Sequence, residues 1–126
     1  LLPPRRLDVR DPSWPIDSDL PAQITAIVNI NMLHISPWAC FEALFAGAAE
    51  ILIRGAVVML YGPYKRGGLH TAPSNAAFDE QLRSQDPEWG VRDLEAVAEV
   101  AAEQGLACQK VIEMPANNLS VVFDKT

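Results

Sequence analysis

Ile24-Thr-Ala-Ile-Val-Asn-Ile-Asn-Met-Leu33 is the segment that most narrows what this chain can fold into. β-branched and apolar residues run through it with almost no polar alternation. A strand buried on both faces of a parallel sheet has this pattern, so a central position is expected rather than an edge. Ser36-Pro37 follows at once, a hydroxyl suited to cap a helix and a proline suited to its first position. Apolar residues then recur at Phe41, Leu44, Phe45, Ala48, Ile51 and Leu52, one face of an amphipathic helix that Gly55 should end. Ala56–Tyr61 reads as a second buried strand. Residues 24–61 thus make a strand–helix–strand unit with parallel strands, and the fold class is α/β.

The rest of the chain fits around that unit. Five of the ten prolines fall within residues 1–23, which therefore read as a connector. Leu1-Leu2-Pro3-Pro4 looks like the end of an element, so an upstream segment is expected. Gly62–Pro73 is punctuated by three glycines and two prolines and reads as a loop. Ser74 can cap a short helix that carries Phe78 and Leu82 and breaks at Asp86-Pro87. A helix over Asp93–Gln104 turns Leu94, Val97, Ala98 and Ala101 inward and Glu95, Glu99 and Glu103 outward. Ala107–Met114 and Leu119–Asp124 flank the turn Pro115-Ala-Asn-Asn118 as an antiparallel hairpin. One domain over residues 1–126 is expected. The strand at 24–33 wants two neighbours, and only one is supplied with confidence. A missing N-terminal half or a second copy of the chain should provide the other.

Composition removes several functions. Ten Lys+Arg against 16 Asp+Glu leave a net charge of −6. With no basic block, no nucleic-acid partner is expected. No apolar stretch approaches the roughly 20 residues needed to span a bilayer, so a cytoplasmic protein without a membrane partner is the expectation. Cys40 and Cys108 sit in apolar contexts without C-x-x-C spacing and should be reduced, buried thiols. His34 and His70 have no carboxylate at ligand spacing, which leaves no metal site to propose. Neither G-x-S-x-G, G-x-G-x-x-G nor a Walker loop occurs.

Ligands of open α/β sheets bind outside the carboxyl ends of the strands. The segments Asn31–Trp38 and Tyr61–Gly68 leave those ends, so Asn31, His34, Tyr61 and Tyr64 are candidates, with His70 in the following loop. Each also has a plain structural reading: His34 at a helix start, the tyrosines in the core, His70 in solvent.

Five strings carry a resemblance: Asn29-Ile-Asn-Met-Leu-His-Ile-Ser-Pro-Trp38, Leu60-Tyr-Gly-Pro-Tyr64, His70-Thr-Ala-Pro-Ser-Asn-Ala-Ala-Phe-Asp79, Asp86-Pro-Glu-Trp-Gly-Val-Arg-Asp-Leu94 and Met114-Pro-Ala-Asn-Asn118. In this order they cover nearly the whole chain, which resembles the DUF938 family. That family is similar to class I S-adenosylmethionine-dependent methyltransferases. The resemblance implies the C-terminal half of a Rossmann-like methyltransferase sheet, in which Leu7-Asp8-Val9 leave the third strand, 24–33 is the fourth and 56–61 the fifth. The terminal hairpin would supply the sixth strand and the antiparallel seventh. It also implies S-adenosylmethionine as a small-molecule cofactor and a methyl acceptor that the resemblance does not identify. Family members carry a glycine-rich turn and a ribose-binding acid in an upstream half that residues 1–126 do not contain, and Thr25 stands where an aspartate is expected. Asp8 would lie near the adenine, Asn31 and His34 near the sulfonium. Tyr61, Tyr64, Asn75, Trp89, Arg92, Asn117 and Asn118 fall in the family strings as residues of the acceptor side, with His34, then Tyr64 or His70, as base. The plain alternatives are a capping role for Asn75, a surface pair of Arg92 with Asp93, turn dihedrals for Asn117-Asn118 and a core anchor in Trp89.

Two other classes of function stay open at this point. One is a non-catalytic remnant that homo-oligomerises through its exposed strand at 24–33, and the other a small-molecule binding module using the surviving crevice.

Overall fold

The computed structural model describes residues 3–16 and 23–126. Residues 3–8 carry no regular structure and a turn follows at 9–10, so the proline-rich connector is irregular where it is described. Its remainder at 17–22 lies outside the described residues. Two cores of secondary structure follow. The first is a four-stranded sheet in the order β1-β2-β7-β6, formed by β1 (Ala26–Ile30), β2 (Val57–Gly62), β6 (Leu106–Met114) and β7 (Asn118–Lys125). β1 and β2 are parallel, from Ala26 opposite Val57 to Ile30 opposite Tyr61. β7 runs antiparallel to β2 and to β6. The second is a small sheet in the order β4-β3-β5, made by β3 (Tyr64–Arg66), β4 (Leu69–His70) and β5 (Arg92–Asp93).

Helices α1 (Trp38–Ile51), α2 (Pro73–Gln85) and α3 (Leu94–Glu103) complete the fold. The strand–helix–strand unit and the terminal hairpin stand as the sequence implies, and so does α3. Phe41, Phe45 and Ala48 of α1 and Val97 and Ala101 of α3 pack with Val58, Leu60, Val121 and Phe123 of the sheet. The Phe45 and Phe123 rings meet edge-on, 5.1 Å apart. Lys125 Nζ donates to the carbonyls of Ala49 and Leu52, which satisfies the open end of α1 with a cation.

Several expectations need correction. β1 is shorter than 24–33: it ends at Ile30, and a single 3₁₀ turn occupies Leu33–Ile35. It stands at the sheet edge, paired only with β2 among the described residues, and neither of its faces is fully covered. Ser36 does not cap α1. Its hydroxyl donates back to the Met32 carbonyl (2.7 Å), and Pro37 precedes the helix instead. α1 ends four residues before Gly55, whose positive φ (+84°) serves the next turn. The 62–73 segment is not all loop, because Gly67-Gly68 (φ +60° and +78°) turn β3 into β4. α2 begins at Pro73, so Ser74 lies inside its first turn. Cys40 is buried, whereas Cys108 is exposed beside a bulge in β6. Among the described residues no helix is long and apolar enough to cross a membrane.

Candidate functional site

The carboxyl ends of β1 and β2 lie side by side, and the amino end of β7 joins them because Gly62 pairs with Leu119. At the first exit Asn31 takes a left-handed backbone (φ +55°), which asparagine tolerates better than most residues. Its N–H still bonds the Tyr61 carbonyl (2.9 Å). The 3₁₀ turn then buries Leu33 and His34.

Backbone contacts from a distant segment hold this turn. The Gly90 N–H donates to the His34 carbonyl (3.0 Å). The Arg92 guanidinium donates to the carbonyls of Leu33 (3.3 Å), Ser36 (2.9 Å) and Glu88 (2.7 Å), and it lies 5.6 Å from the Trp38 ring centre. The surface pair of Arg92 with Asp93 does not form. Arg92 ties the His34 turn to the 88–92 segment.

His34 itself is 5% exposed. Its imidazole meets the Phe78 ring edge-on at 5.6 Å and makes no hydrogen bond to the described residues. Burial, and secondarily the Arg92 charge, push its pKa below the ordinary histidine value, so the ring is neutral at pH 7. A neutral imidazole keeps one nitrogen free to accept a proton.

A basin of about 640 Å³ opens here. The β1 exit contributes Asn31, His34 and Ile35, and Pro63 comes from the β2 exit. α2 adds Ser74, Asn75 and Phe78, and the hairpin turn adds Ala116, Asn117 and Asn118. Ala116 and Asn117 hold left-handed backbones (φ +61° and +60°), which aim the turn back over the basin. Asn75 Nδ2 donates to Thr71 Oγ1 and to the Asn117 carbonyl, both at 3.2 Å, and joins α2 to that turn. Asn118 Nδ2 lies 3.2 Å from the Tyr61 hydroxyl, so Tyr61 supports the wall from behind.

Five residues singled out from the sequence therefore share one cavity: Asn31, His34, Asn75, Asn117 and Asn118. The others stand apart from it. Tyr64 is a core residue, and burial raises the pKa of its hydroxyl. Trp89 is half-buried and lines neither the basin nor the main core. Asp8 is engaged by Arg10 through both side chain and backbone N–H, which lowers its pKa to about 2. His70 Nε2 lies 3.3 Å from Asp79 Oδ2, while its Nδ1 is buried without a partner among the described residues.

Asp79 was not singled out from the sequence. It is 3% exposed and also accepts from Arg83 and from the Val91 N–H (2.8 Å), so it fastens α2 to the 88–92 segment. Its spacing of four from Arg83 on a helix was the available signal. Nothing comparable marked Ile35, Pro63 or Phe78, which reach the basin only through the fold.

The fold is that of the class I methyltransferases. It matches the O-methyltransferase family 2 protein from Planctomyces limnophilus, solved in complex with apigenin, at a TM-score of 0.72 and 22% identity over 83% of this chain and 31% of that one. Human N-acetylserotonin methyltransferase in complex with S-adenosylmethionine matches at 0.71 and 11% identity, over 80% of this chain and 29% of that one. LepI in complex with S-adenosylmethionine matches at 0.70 and 15% identity, over 85% and 28%. The chain thus spans under a third of each of these structures, and at such identities the likeness is one of fold. Residues 1–125 match the model of DUF938, described as a protein of unknown function, and the chain belongs to that family.

Proposed function

We propose that this chain is the acceptor-side portion of an S-adenosylmethionine-dependent methyltransferase. The observation that carries the reading is the position of the basin. In a sheet of methyltransferase order, it lies at the carboxyl ends of the two parallel strands and is lined by Asn31, His34, Asn75, Asn117 and Asn118, five of the residues expected to serve cofactor or acceptor.

The residues in hand fit part of such a cofactor. Asn29 Oδ1 is buried without a partner among the described residues near the end of β1, and an acceptor of that kind suits an amino or hydroxyl hydrogen. Asp8 fits less well, because Arg10 occupies its carboxylate. The remainder of the cofactor site is proposed to come from an N-terminal half such as the longer structural relatives possess.

When bound, S-adenosylmethionine supplies an electrophilic methyl group. The chain's own part is to seat the acceptor between Phe78 and the asparagines and to exclude water. His34 takes the acceptor's proton on its free ring nitrogen where deprotonation is required. Arg92 and Gly90 hold that imidazole in place through the backbone of its turn.

Binding is tested before transfer, since one of the structures of like fold is described as a pericyclic reaction enzyme. Thermal unfolding of the protein is followed with S-adenosylmethionine and with S-adenosylhomocysteine. A ligand at 100 times its Kd adds about 2.7 kcal/mol, so a clear rise in Tm is expected. A folded sample that includes the proposed N-terminal half and shows no shift refutes the reading.

A second reading rests on a different observation, the open edge of β1, where Val28 and Ile30 are 58% and 60% exposed. Here the chain is a non-catalytic remnant that pairs this edge with another copy. Val28→Lys then converts a dimer to a monomer, and an unchanged oligomer rules this reading out.

A further inference from the structure

Charged residues make up 21% of the chain, yet none of the ten residues around the basin is Asp, Glu, Lys or Arg. The charged side chains that adjoin its walls are already committed. Arg92 is spent on three carbonyls, and Asp79 on Arg83, His70 and the Val91 N–H. A ligand with a net charge would lose water here and meet no counter-charge, which is costly.

Among the polar groups that remain, one has a fixed sense. The Asn117 carbonyl can only accept, so the contact from Asn75 fixes the amide of that residue with its NH2 toward the turn. Asn75 Oδ1 is left with no hydrogen bond to the described residues. The Tyr61 hydroxyl can donate as well as accept, so its contact with Asn118 sets no direction for that amide. Asn75 Oδ1 is thus an acceptor whose orientation the fold itself fixes. The basin's apolar surface comes from Ile35 and Phe78, both unusually exposed for their type.

We infer that the basin takes an uncharged small molecule that presents an O–H or N–H hydrogen to the side-chain oxygen of Asn75 and lays an apolar body against Ile35 and Phe78. Resting on the methyltransferase reading, this names the class of the acceptor: a neutral hydroxyl or amine-type compound, not a carboxylate, a phosphate or an ammonium ion.

Three probes of one shape test it: 2-naphthol, 2-naphthoate and 2-naphthylmethylammonium, each titrated into the whole protein by calorimetry. Naphthol is expected to bind at least about tenfold more tightly than either ion, since the ions are desolvated without compensation. Ser74→Asp then locates the site. Ser74 is an exposed rim residue in the first turn of α2, where a carboxylate suits the helix. The variant should bind the ammonium probe several-fold more tightly and naphthoate more weakly.

Equal or tighter binding of either ion, no binding of naphthol, or an S74D variant indifferent to charge overturns the inference. The cofactor-induced Tm shift is read on the same samples. A retained shift without naphthol preference defeats this inference alone, and a lost shift with the preference intact defeats the methyltransferase reading alone.

Discussion

The two faces of the four-stranded sheet differ sharply. Registers place Val58, Leu60, Val121 and Phe123 on one face, under α1 and α3, and all four are fully buried. The same registers place Val28, Ile30, Val57, Met59, Val122 and Ile112 on the other. That face also carries Asp124, Ser120 and Lys110, and its Val28, Ile30 and Ile112 are 58%, 60% and 44% exposed. In a parallel α/β sheet both faces are normally covered, and an apolar patch of this kind marks a surface made to be packed against. The covered face holds the fold together, while the open face leaves Val28, Ile30 and Ile112 exposed among the described residues.

Predictions follow from that asymmetry. Phe45→Ala, on the covered face, should cost about 3–5 kcal/mol, read as a drop in the urea midpoint, because it leaves a cavity against Phe123 and Phe41. A loss well under 1 kcal/mol would mean the covered face does not carry the stability.

An intermediate effect belongs to the basin end. The folded-state pKa of His34 is depressed, so below about 6.5 the unfolded chain binds the proton that the folded chain resists. Stability should be full above pH 6.5 and fall as the pH drops through the interval down to the folded pKa. Urea titrations at pH 7.5 and 5.5 should show that fall, and His34→Gln should flatten it.

The smallest effect on folding belongs to the open face. Ile30→Lys should change the stability of the monomer by no more than about 0.5 kcal/mol while reducing self-association in sedimentation. A large loss of stability would mean the open face is packed in solution.

Much of this was legible along the chain. The apolar run of β2, the 3.6-residue periods of α1 and α3 and the turn residues of the terminal hairpin could be read locally, because each signal lies within a few neighbouring residues. The first strand misled in an instructive way. Its composition reads as a segment buried on two faces, but neither face of β1 is fully covered within the described residues. Short elements were invisible for another reason: β3, β4 and β5 hold two or three residues each, and the pairing of Tyr64 with Arg92 carries no local signal.

Sequence alone determined the α/β class, the family strings and five of the basin's residues, since these depend on residue type and local spacing. Only the tertiary structure decided what those residues do together. Arg92 reads as a surface cation until Leu33 and Ser36 are seen to sit against it across more than fifty residues. Asp79 reads as half of a helix pair until it is found buried beneath Val91 and His70. Burial and long-range partners set the charge state of His34 and the direction of the Asn75 amide, and neither is written in the order of residues along one strand or helix.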